Sequence, residues 1–194
     1  MLRLMGLVVG IDPGLSGGLA SVTGVGASAR SMPLDAAGRI DGAEVARWLR
    51  ARSPEVVVIE DVHAMPGQGV TSMFTFGMGF GVVLGVCAAL DLRVERVTPQ
   101  RWKAAIIPDT SIKPKRLTKA DKAAMTKAQL AERKGAERAA GKARAVAFAR
   151  ATFPHVSLLA TARSSTPHDG MADALCLAEY ARRFVAAQRA AWLG

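Results

Sequence analysis

The apolar positions at the start of the chain form short runs that are separated by turn residues. Residues 7–11 and 19–23 are mostly apolar, and the segment between them is rich in glycine and contains Pro13. Runs bounded by Gly and Pro predict strands, and the short separation predicts a β-hairpin. A weaker strand pattern follows at residues 29–33.

Two further runs predict strands in the middle of the chain. Residues 56–59 read Val-Val-Val-Ile, after a break at Pro54 and before Glu60. A strand that is apolar on both faces must be covered on both faces, so this run predicts a central strand of an α/β sheet. Residues 92–97 alternate in polarity and predict one more strand.

Helical spacing accounts for most of the remaining apolar positions. Asp41 is a predicted N-cap, and Glu44, three residues later, would complete a capping box. The helix that follows places Val45, Trp48 and Leu49 on one face. Three other helices are predicted: a short one that begins at Pro99, an amphipathic one at residues 143–153, and a last one at about 169–188.

A long apolar segment at residues 71–90 carries no charged side chain. Its length would suffice to cross a bilayer. Glycine is frequent within it, and neither end carries the basic or aromatic residues that mark a membrane boundary. We therefore expect a helix that is buried in the protein or lies at a subunit interface, and no membrane partner.

The charge of the chain is concentrated in one segment. The 194 residues carry a formal net charge of +10, and residues 101–150 account for that whole excess. A localised basic block predicts a polyanionic partner, with nucleic acid ahead of an acidic membrane surface. Half of the residues are hydrophobic, which excludes wholesale disorder and suits one domain over residues 1–194. Residues 108–141 hold few large apolar side chains and predict a basic, partly helical insertion within that domain.

The two cysteines, Cys87 and Cys176, lie in apolar contexts without metal-ligand spacing. They are typical of core thiols in a reducing cytoplasm. The N-terminal apolar run ends at Asp12, and no cleavage site composed of small residues follows it. We therefore expect no signal peptide.

Carboxylates at particular positions indicate metal chemistry. Asp12 and Glu60 end predicted strands, and Asp169 and Asp173 lie four apart on the last helix. Strand ends at the carboxyl edge of an α/β sheet bind ligands, and grouped carboxylates select Mg²⁺ or Mn²⁺. An acidic metal site beside a basic block predicts a nuclease. Asp12 could instead be a turn former and Asp169 a helix N-cap.

Four motifs, taken in order, resemble the RuvC-type Holliday junction resolvases. They are VGIDPG at residues 9–14, VIE at 58–60, VTPQRWK at 97–103 and HDGMADAL at 168–175. The resemblance implies an α/β, ribonuclease-H-like mixed sheet flanked by helices. It also implies a homodimer that nicks two strands of a four-way junction with Mg²⁺, for which Mn²⁺ would substitute, in recombination and repair in a bacterium or a phage.

By this resemblance Asp12, Glu60 and Asp173 match the first, second and final acids of the family. The family usually has another acid or a His three residues before the final Asp, where this chain has Gly170. Asp169 is the preferred replacement, because residues four apart share a helix face, and His168 is the second candidate.

Basic residues are the predicted DNA contacts. Lys103 matches a basic position of the family near the scissile phosphate and is also a catalytic candidate, and Lys142 matches a second such position. The remaining candidates lie in the basic block, which could also be a merely solvated surface: Lys113, Lys115, Arg116, Lys119, Lys122 and Lys127.

Other classes of protein share some of these features. An actin-like ATPase also opens with a strand and an Asp-Gly turn, but it needs a second lobe and a longer chain. A noncatalytic DNA-binding subunit would need the basic block and not Glu60 or Asp173. A less selective ribonuclease-H-like nuclease would act on forks, flaps or RNA-containing duplexes, and sequence leaves that alternative open.

Overall fold

The computed structural model describes residues 6–61, 69–107 and 117–185. Five strands form one mixed sheet in the order β3-β2-β1-β4-β5. The strands are β1 (Val8–Asp12), β2 (Gly18–Val22), β3 (Ala27–Ser31), β4 (Val56–Glu60) and β5 (Val94–Val97). The helices are α1 (Gly42–Arg50), α2 (Val70–Ala89), α3 (Pro99–Ile106), α4 (Lys119–Ala124), α5 (Lys127–Thr152) and α6 (Asp169–Tyr180), and a π-helical turn, Ala181–Val185, follows α6.

The predicted hairpin is the antiparallel pair β1 and β2, and β3 continues it on the outer side. β4 lies parallel to β1, and β5 lies parallel to β4. All five residues of β4 are buried, as its uninterrupted apolar pattern predicted. Because β1, β4 and β5 run in the same direction, their carboxyl ends lie at the same edge of the sheet.

Helices cover both faces of the sheet. Val8, Val56 and Val58 pack with the α3, α5 and α6 side chains in one core cluster. Val9 and Val57 belong to a second cluster with α1 and α2. This alternation follows from the period of two along a strand. Both cysteines are buried, one in each cluster, as the sequence predicted.

Gly10 brings α6 very close to the sheet. A Cβ atom at this position would lie 2.2 Å from the backbone oxygen of Ala174 and 2.3 Å from the backbone nitrogen of Ala178. Both contacts are with helix backbone, which cannot move aside as a side chain can. Only glycine therefore fits on β1 at this point, and α6 lies directly against the strand that ends in Asp12.

The helix predicted at residues 143–153 begins sixteen residues earlier, at Lys127. Thr126 and Gln129 form a reciprocal capping box that starts it, with Thr126 Oγ1 accepting from Gln129 N at 3.2 Å. The prediction was wrong about this boundary because it relied on large apolar residues, and the first turns of α5 are solvent-exposed. The end of the predicted insertion is thus the first half of a continuous helix.

Two smaller boundaries also differ from the predicted ones. Asp41 caps α1 as predicted, accepting from Glu44 N at 3.0 Å. The reciprocal half of the capping box is missing because Asp41 N donates to Pro33 O at 2.9 Å, and Glu44 pairs with arginines instead. The last helix loses its α-helical pattern after Tyr180, where the π-helical turn begins.

The uncharged helix α2 is buried along one side only. Gly79, Val83 and Cys87, each four residues apart, face the core. Phe74 is 68% exposed and Val70 is 84% exposed. Of the two alternatives that the sequence left open, a helix buried in the protein is therefore wrong, and a subunit interface stays a prediction. Among the described residues, α2 is the one helix whose length and composition would allow it to cross a membrane.

Candidate active site

Asp12 and Glu60 lie side by side at the carboxyl edge of the sheet. β1 and β4 pair in parallel up to Ile11 opposite Ile59, and Asp12 and Glu60 are the next residues of the two strands. Val8 and Val56 face α6. Asp12 follows Val8, and Glu60 follows Val56, by an even number of positions. The two carboxylates therefore emerge on the face of the sheet that α6 covers.

Asp61 turns to the opposite face of the sheet, because successive residues along a strand alternate between its faces. Its Oδ1 atom accepts from Arg96 Nη2 at 2.6 Å, and the Arg96 guanidinium lies 5.6 Å from the ring centre of Phe80 on α2. The adjacent carboxylates of Glu60 and Asp61 therefore lie on opposite faces of the sheet. Only Glu60 is directed towards the site.

Asp12 also takes part in the turn that follows β1. Its Oδ1 atom accepts from Gly14 N at 3.2 Å. This is the turn-forming role that the sequence left open. It uses one carboxylate oxygen and is compatible with a second role for the other.

Asp173 on α6 is the third member of the cluster. Burial, and then the negative charges of Glu60 and Asp173, raise the pKa of Asp12 to about 7. Burial is also the largest cause that raises the pKa of Asp173, to about 6, with Glu60 and Asp169 adding to it and Lys103 opposing it. These three acids are brought together, as predicted, and their charges are incompletely neutralised.

Lys103 and Trp102 approach the same cluster from α3. Lys103 lies near enough to Asp12 and Asp173 to lower the pKa of both. Its Nζ atom is 4.8 Å from the ring centre of Trp102. Trp102 is fully buried, and its indole Nε1 donates to Glu60 Oε1 at 3.0 Å. Sequence analysis did not identify Trp102 as a residue of the site.

His168 and Asp169 lie at the first turn of α6. His168 is the N-cap, and its Nδ1 atom accepts from Met171 N at 3.3 Å. The alternative in which Asp169 caps the helix is therefore wrong. Asp169 instead forms an ion pair with Lys142, in which its Oδ2 atom lies 2.6 Å from Lys142 Nζ. It lines one cleft together with Asp12 and Asp173.

Gly170 is excluded as a ligand position by the β1–β2 turn. A Cβ atom there would lie 2.3 Å from Ser16 O and 2.5 Å from Gly17 Cα. The N-terminus of α6 packs so closely on this turn that no side chain fits. Position 170, where the family that the motifs resemble usually has an acid or a His, therefore cannot supply a ligand in this packing.

The donor set suits hard divalent cations, with one restriction. Within residues 6–61, 69–107 and 117–185, no three His, Cys, Asp or Glu side chains converge tightly enough to hold one ion together. Mg²⁺ usually keeps several waters and binds one or two carboxylates. Carboxylates taken in pairs, with Asp12 shared, would therefore fit the group.

A second cleft, of about 410 Å³, shares Asp173 and Lys142 with the first. Four cations line it: Lys103, Lys134, Arg138 and Lys142. Sequence analysis missed Lys134 and Arg138. The signal was their spacing, four and eight residues before Lys142, which places all three on one face of a helix. The misplaced start of α5 hid that spacing.

The other predicted DNA contacts are only partly described. Lys119 on α4 and Lys127 at the start of α5 are exposed. Lys122 lies on α4. Lys113, Lys115 and Arg116 lie outside the described residues.

The pKa values of the acids predict how the metal-free protein responds to pH. The pKa of Asp12 is about 7 in the folded protein against an ordinary value of 3.8, so the folded state binds more protons between these values. Stability without metal should therefore fall as pH rises from about 4 to 7. Asp12→Asn should raise the metal-free melting temperature at about pH 8 by roughly 2–4 °C, equivalent to about 1 kcal/mol.

Thermal unfolding in EDTA at about pH 8 and pH 4.5 would measure this effect. Asp61→Asn is the control. Because Asp61 is paired with Arg96, this change should not raise the melting temperature. Mg²⁺ should stabilise the unaltered protein more at the higher pH, because ligands must be deprotonated to bind. Equal melting temperatures for Asp12→Asn and the unaltered protein at pH 8 would contradict the raised pKa.

Comparison with solved structures identifies the fold. The sequence matches no family model and no curated protein. The mixed five-stranded sheet flanked by helices defines a ribonuclease-H-like fold. In particular, the chain has the fold of RuvC. It is similar to Thermus thermophilus RuvC in complex with a Holliday junction substrate, with 18% identity, a TM-score of 0.55, and coverage of 92% of this chain and 96% of that chain.

Two more solved structures align over most of the chain. A second structure of Thermus thermophilus RuvC has 20% identity and a TM-score of 0.45, covering 91% of this chain and 95% of that one. The yeast mitochondrial Holliday junction resolvase has 11% identity and a TM-score of 0.43, covering 99% of this chain and 83% of that one.

Proposed function

We propose that the protein is a metal-dependent endonuclease that cuts Holliday junctions or related branched DNA by paired nicks. The observation that carries the proposal is the cluster of Asp12, Glu60 and Asp173 beside a cleft lined by cations. The similarity of its fold to RuvC, solved with a Holliday junction substrate, supports the choice of substrate.

Asp12, Glu60, Asp173 and Asp169 would hold the divalent cations, Mg²⁺ or Mn²⁺. Such ions activate a water and stabilise the leaving oxygen of a phosphodiester. The pKa values of Asp12 and Asp173, raised to about 7 and about 6, mean that a cation bound here would displace protons that these acids retain in mildly acidic solution. Lys103, which faces both acids, would bind a nonbridging oxygen of the scissile phosphate.

Asp169 is our proposed fourth ligand. It lines the same cleft as Asp12 and Asp173, and only Lys142 pairs with it through a side chain among the described residues. His168 uses Nδ1 to cap α6, which leaves only Nε2 for another contact. Lys142 would move from Asp169 to a DNA phosphate when a cation binds.

The cleft between α3 and α5 is the proposed path for the phosphates that flank the cut. Replacing Lys134 and Arg138 by Ala should weaken junction binding and reduce the slope of log affinity against log salt by up to about 2, because each lost phosphate contact changes that slope by about 0.9. Fluorescence anisotropy over a range of salt concentrations would measure it. Activity at saturating enzyme and low salt should survive.

Arg150→Ala is the matched control for this prediction. Arg150 is exposed in the last turn of the same helix, away from the cleft. It should leave the slope unchanged. If the slope is unchanged when Lys134 and Arg138 are replaced, DNA binds to another surface of the protein.

We also propose that α2 forms the interface of a homodimer. Its exposed apolar side chains include Val70, Met73, Phe74, Met78 and Val82. Apolar surface of this extent is unfavourable in water. A two-fold partner covering this helix would bury it and supply the second nuclease site needed for paired nicks.

Phe74→Glu should convert the proposed dimer into a monomer of 20.4 kDa, because it introduces a charge into the interface. Light scattering at micromolar concentration would detect the change. Leu159→Glu, which alters a side chain 38% exposed on another surface, should leave the dimer intact. A strictly monomeric unaltered protein, with DNA or without, would remove paired nicking by a homodimer, and sedimentation with vesicles would favour a membrane role for α2.

A panel of DNA substrates tests the proposed function. Purified protein with Mg²⁺ should cut a four-way junction in both opposed strands faster than it cuts a duplex or a single strand. Preference for forks, flaps or RNA-containing duplexes would favour the less selective nuclease. Binding without cleavage in either Mg²⁺ or Mn²⁺ would favour a noncatalytic DNA-binding subunit.

A further inference from the structure

We propose that Trp102 is a positioning residue that holds the Glu60 carboxylate in the orientation required to bind a cation. This inference rests on the proposed function, since it concerns the same metal site. Trp102 would act through its indole N–H on Glu60 Oε1, so that Oε2 would bind the cation.

The geometry around Glu60 is the first support for this role. The residue ends β4 and is only 9% exposed. A glutamate side chain has several rotatable bonds, and an ionised carboxylate has two equivalent oxygens that both accept hydrogen bonds. The donation from Trp102 Nε1 at 3.0 Å makes the two oxygens different and selects one orientation.

The rigid position of Trp102 is the second support. Pro99 starts α3 directly after β5, so Trp102 lies in the first turn of a helix anchored to the sheet. The indole packs in the core cluster that contains Val58, Val97 and Ile106. An N–H donor that cannot move fixes its acceptor more firmly than a solvent-exposed donor could.

Lys103 completes the arrangement. Its ammonium group lies over the Trp102 ring at 4.8 Å and lowers the pKa of Asp12 and Asp173. Two adjacent residues of α3 therefore serve the cluster differently: Trp102 orients Glu60, and Lys103 supplies positive charge. A buried indole N–H needs an acceptor in any case, and here that acceptor is a carboxylate of the site.

The test replaces Trp102 by Phe, which keeps an aromatic ring and removes the N–H donor. Calorimetric titration of the DNA-free protein with Mn²⁺ should show affinity weakened about 10–100-fold, the usual effect of losing a group that orients a metal ligand. The Mg²⁺ concentration for half-maximal cleavage should rise in parallel. Junction binding in Ca²⁺ should stay unchanged.

Trp48→Phe is the matched control. Trp48 is also a buried tryptophan, 7% exposed, and lies in the core cluster on the opposite face of the sheet. It should leave Mn²⁺ affinity unaltered even if it lowers the melting temperature. Equal losses of Mn²⁺ affinity in both variants would reduce the role of Trp102 to packing and overturn the proposal.

A double-mutant cycle tests whether Trp102 acts through Glu60. In a Glu60→Gln background, Trp102→Phe should cause no further loss of Mn²⁺ affinity, and an additive loss would overturn the proposal. If Trp102→Phe does not fold, 3-benzothienylalanine at the same position preserves the shape and replaces N–H by sulfur. Unaltered protein that binds no Mn²⁺ would refute the proposed function and this inference together, whereas unaltered Mn²⁺ affinity after loss of the N–H would refute only the inference.

Discussion

Asp12→Asn, Glu60→Gln and Asp173→Asn should each reduce junction cleavage by about 1000-fold or more while leaving junction binding nearly intact. Each change removes a proposed cation ligand and no phosphate contact. A bound metal ion contributes several kcal/mol of transition-state stabilisation, and about 1.4 kcal/mol corresponds to a tenfold change in rate. Binding could even tighten, because each variant removes negative charge from a site that faces DNA.

Single-turnover cleavage in Mg²⁺ and junction binding in Ca²⁺ would separate the two effects. Ca²⁺ should support binding without turnover, since its larger and looser coordination shell fits the transition state poorly. Asp61→Asn is the internal control, because Asp61 adjoins Glu60 and pairs with Arg96 on the other face. Cleavage at the unaltered rate by any of the three acid variants, or rapid cleavage in Ca²⁺ alone, would contradict the proposed cation site.

The same assay ranks the candidates for the fourth ligand. Asp169→Asn should reduce the cleavage rate severely, because the Asp169 carboxylate lines the cleft with Asp12 and Asp173. His168→Ala should be milder and act mainly through the lost cap on Met171 N. An inactive His168→Ala together with a fully active Asp169→Asn would reverse this assignment.

Gly170→Asp should unfold or strongly destabilise the protein, although it would introduce an acid where the resolvase family usually has one. The added Cβ would lie 2.3 Å from Ser16 O, and both the helix and the turn present backbone atoms there. Overpacking costs about 1–3 kcal/mol where side chains can shift, and we expect about 3 kcal/mol or more where they cannot. The melting temperature should fall by roughly 6–12 °C.

Gly135→Ala is the control for that loss. Among the described residues, a Cβ at Gly135 would meet no heavy atom within 4 Å outside its own helix. It should stabilise α5 by about 0.5–1 kcal/mol, because alanine favours helix over glycine. A stable and active Gly170→Asp protein would show that α6 can retreat from the β1–β2 turn, and position 170 would become a ligand candidate again.

Short-range patterns made the sheet and its acids predictable. Val8 to Asp12 and Val56 to Glu60 are uninterrupted runs that end in a carboxylate. These features depend on the period of a strand and on its end, which are local properties. The similarity of motif order to one family then indicated which acids belong together.

The first half of α5 shows where periodicity stops being informative. Apolar spacing reports a helix face that is buried, and residues 127–141 are largely exposed. The capping box at Thr126 was a local signal for the true start. Because this capping box was not recognised in the sequence, Lys134 and Arg138 were not placed on the same helix face as Lys142.

The sequence by itself determined the strands, the positions of Asp12, Glu60 and Asp173, and the basic character of one segment, because each depends on neighbouring residues along the chain. Only the tertiary structure decided that Gly170 has no room for a side chain and that Trp102 donates to Glu60. The first contact joins α6 to the β1–β2 turn, and the second joins α3 to β4. Contacts between segments so far apart in the chain depend on how closely the helices pack on the sheet, and no local pattern encodes that distance.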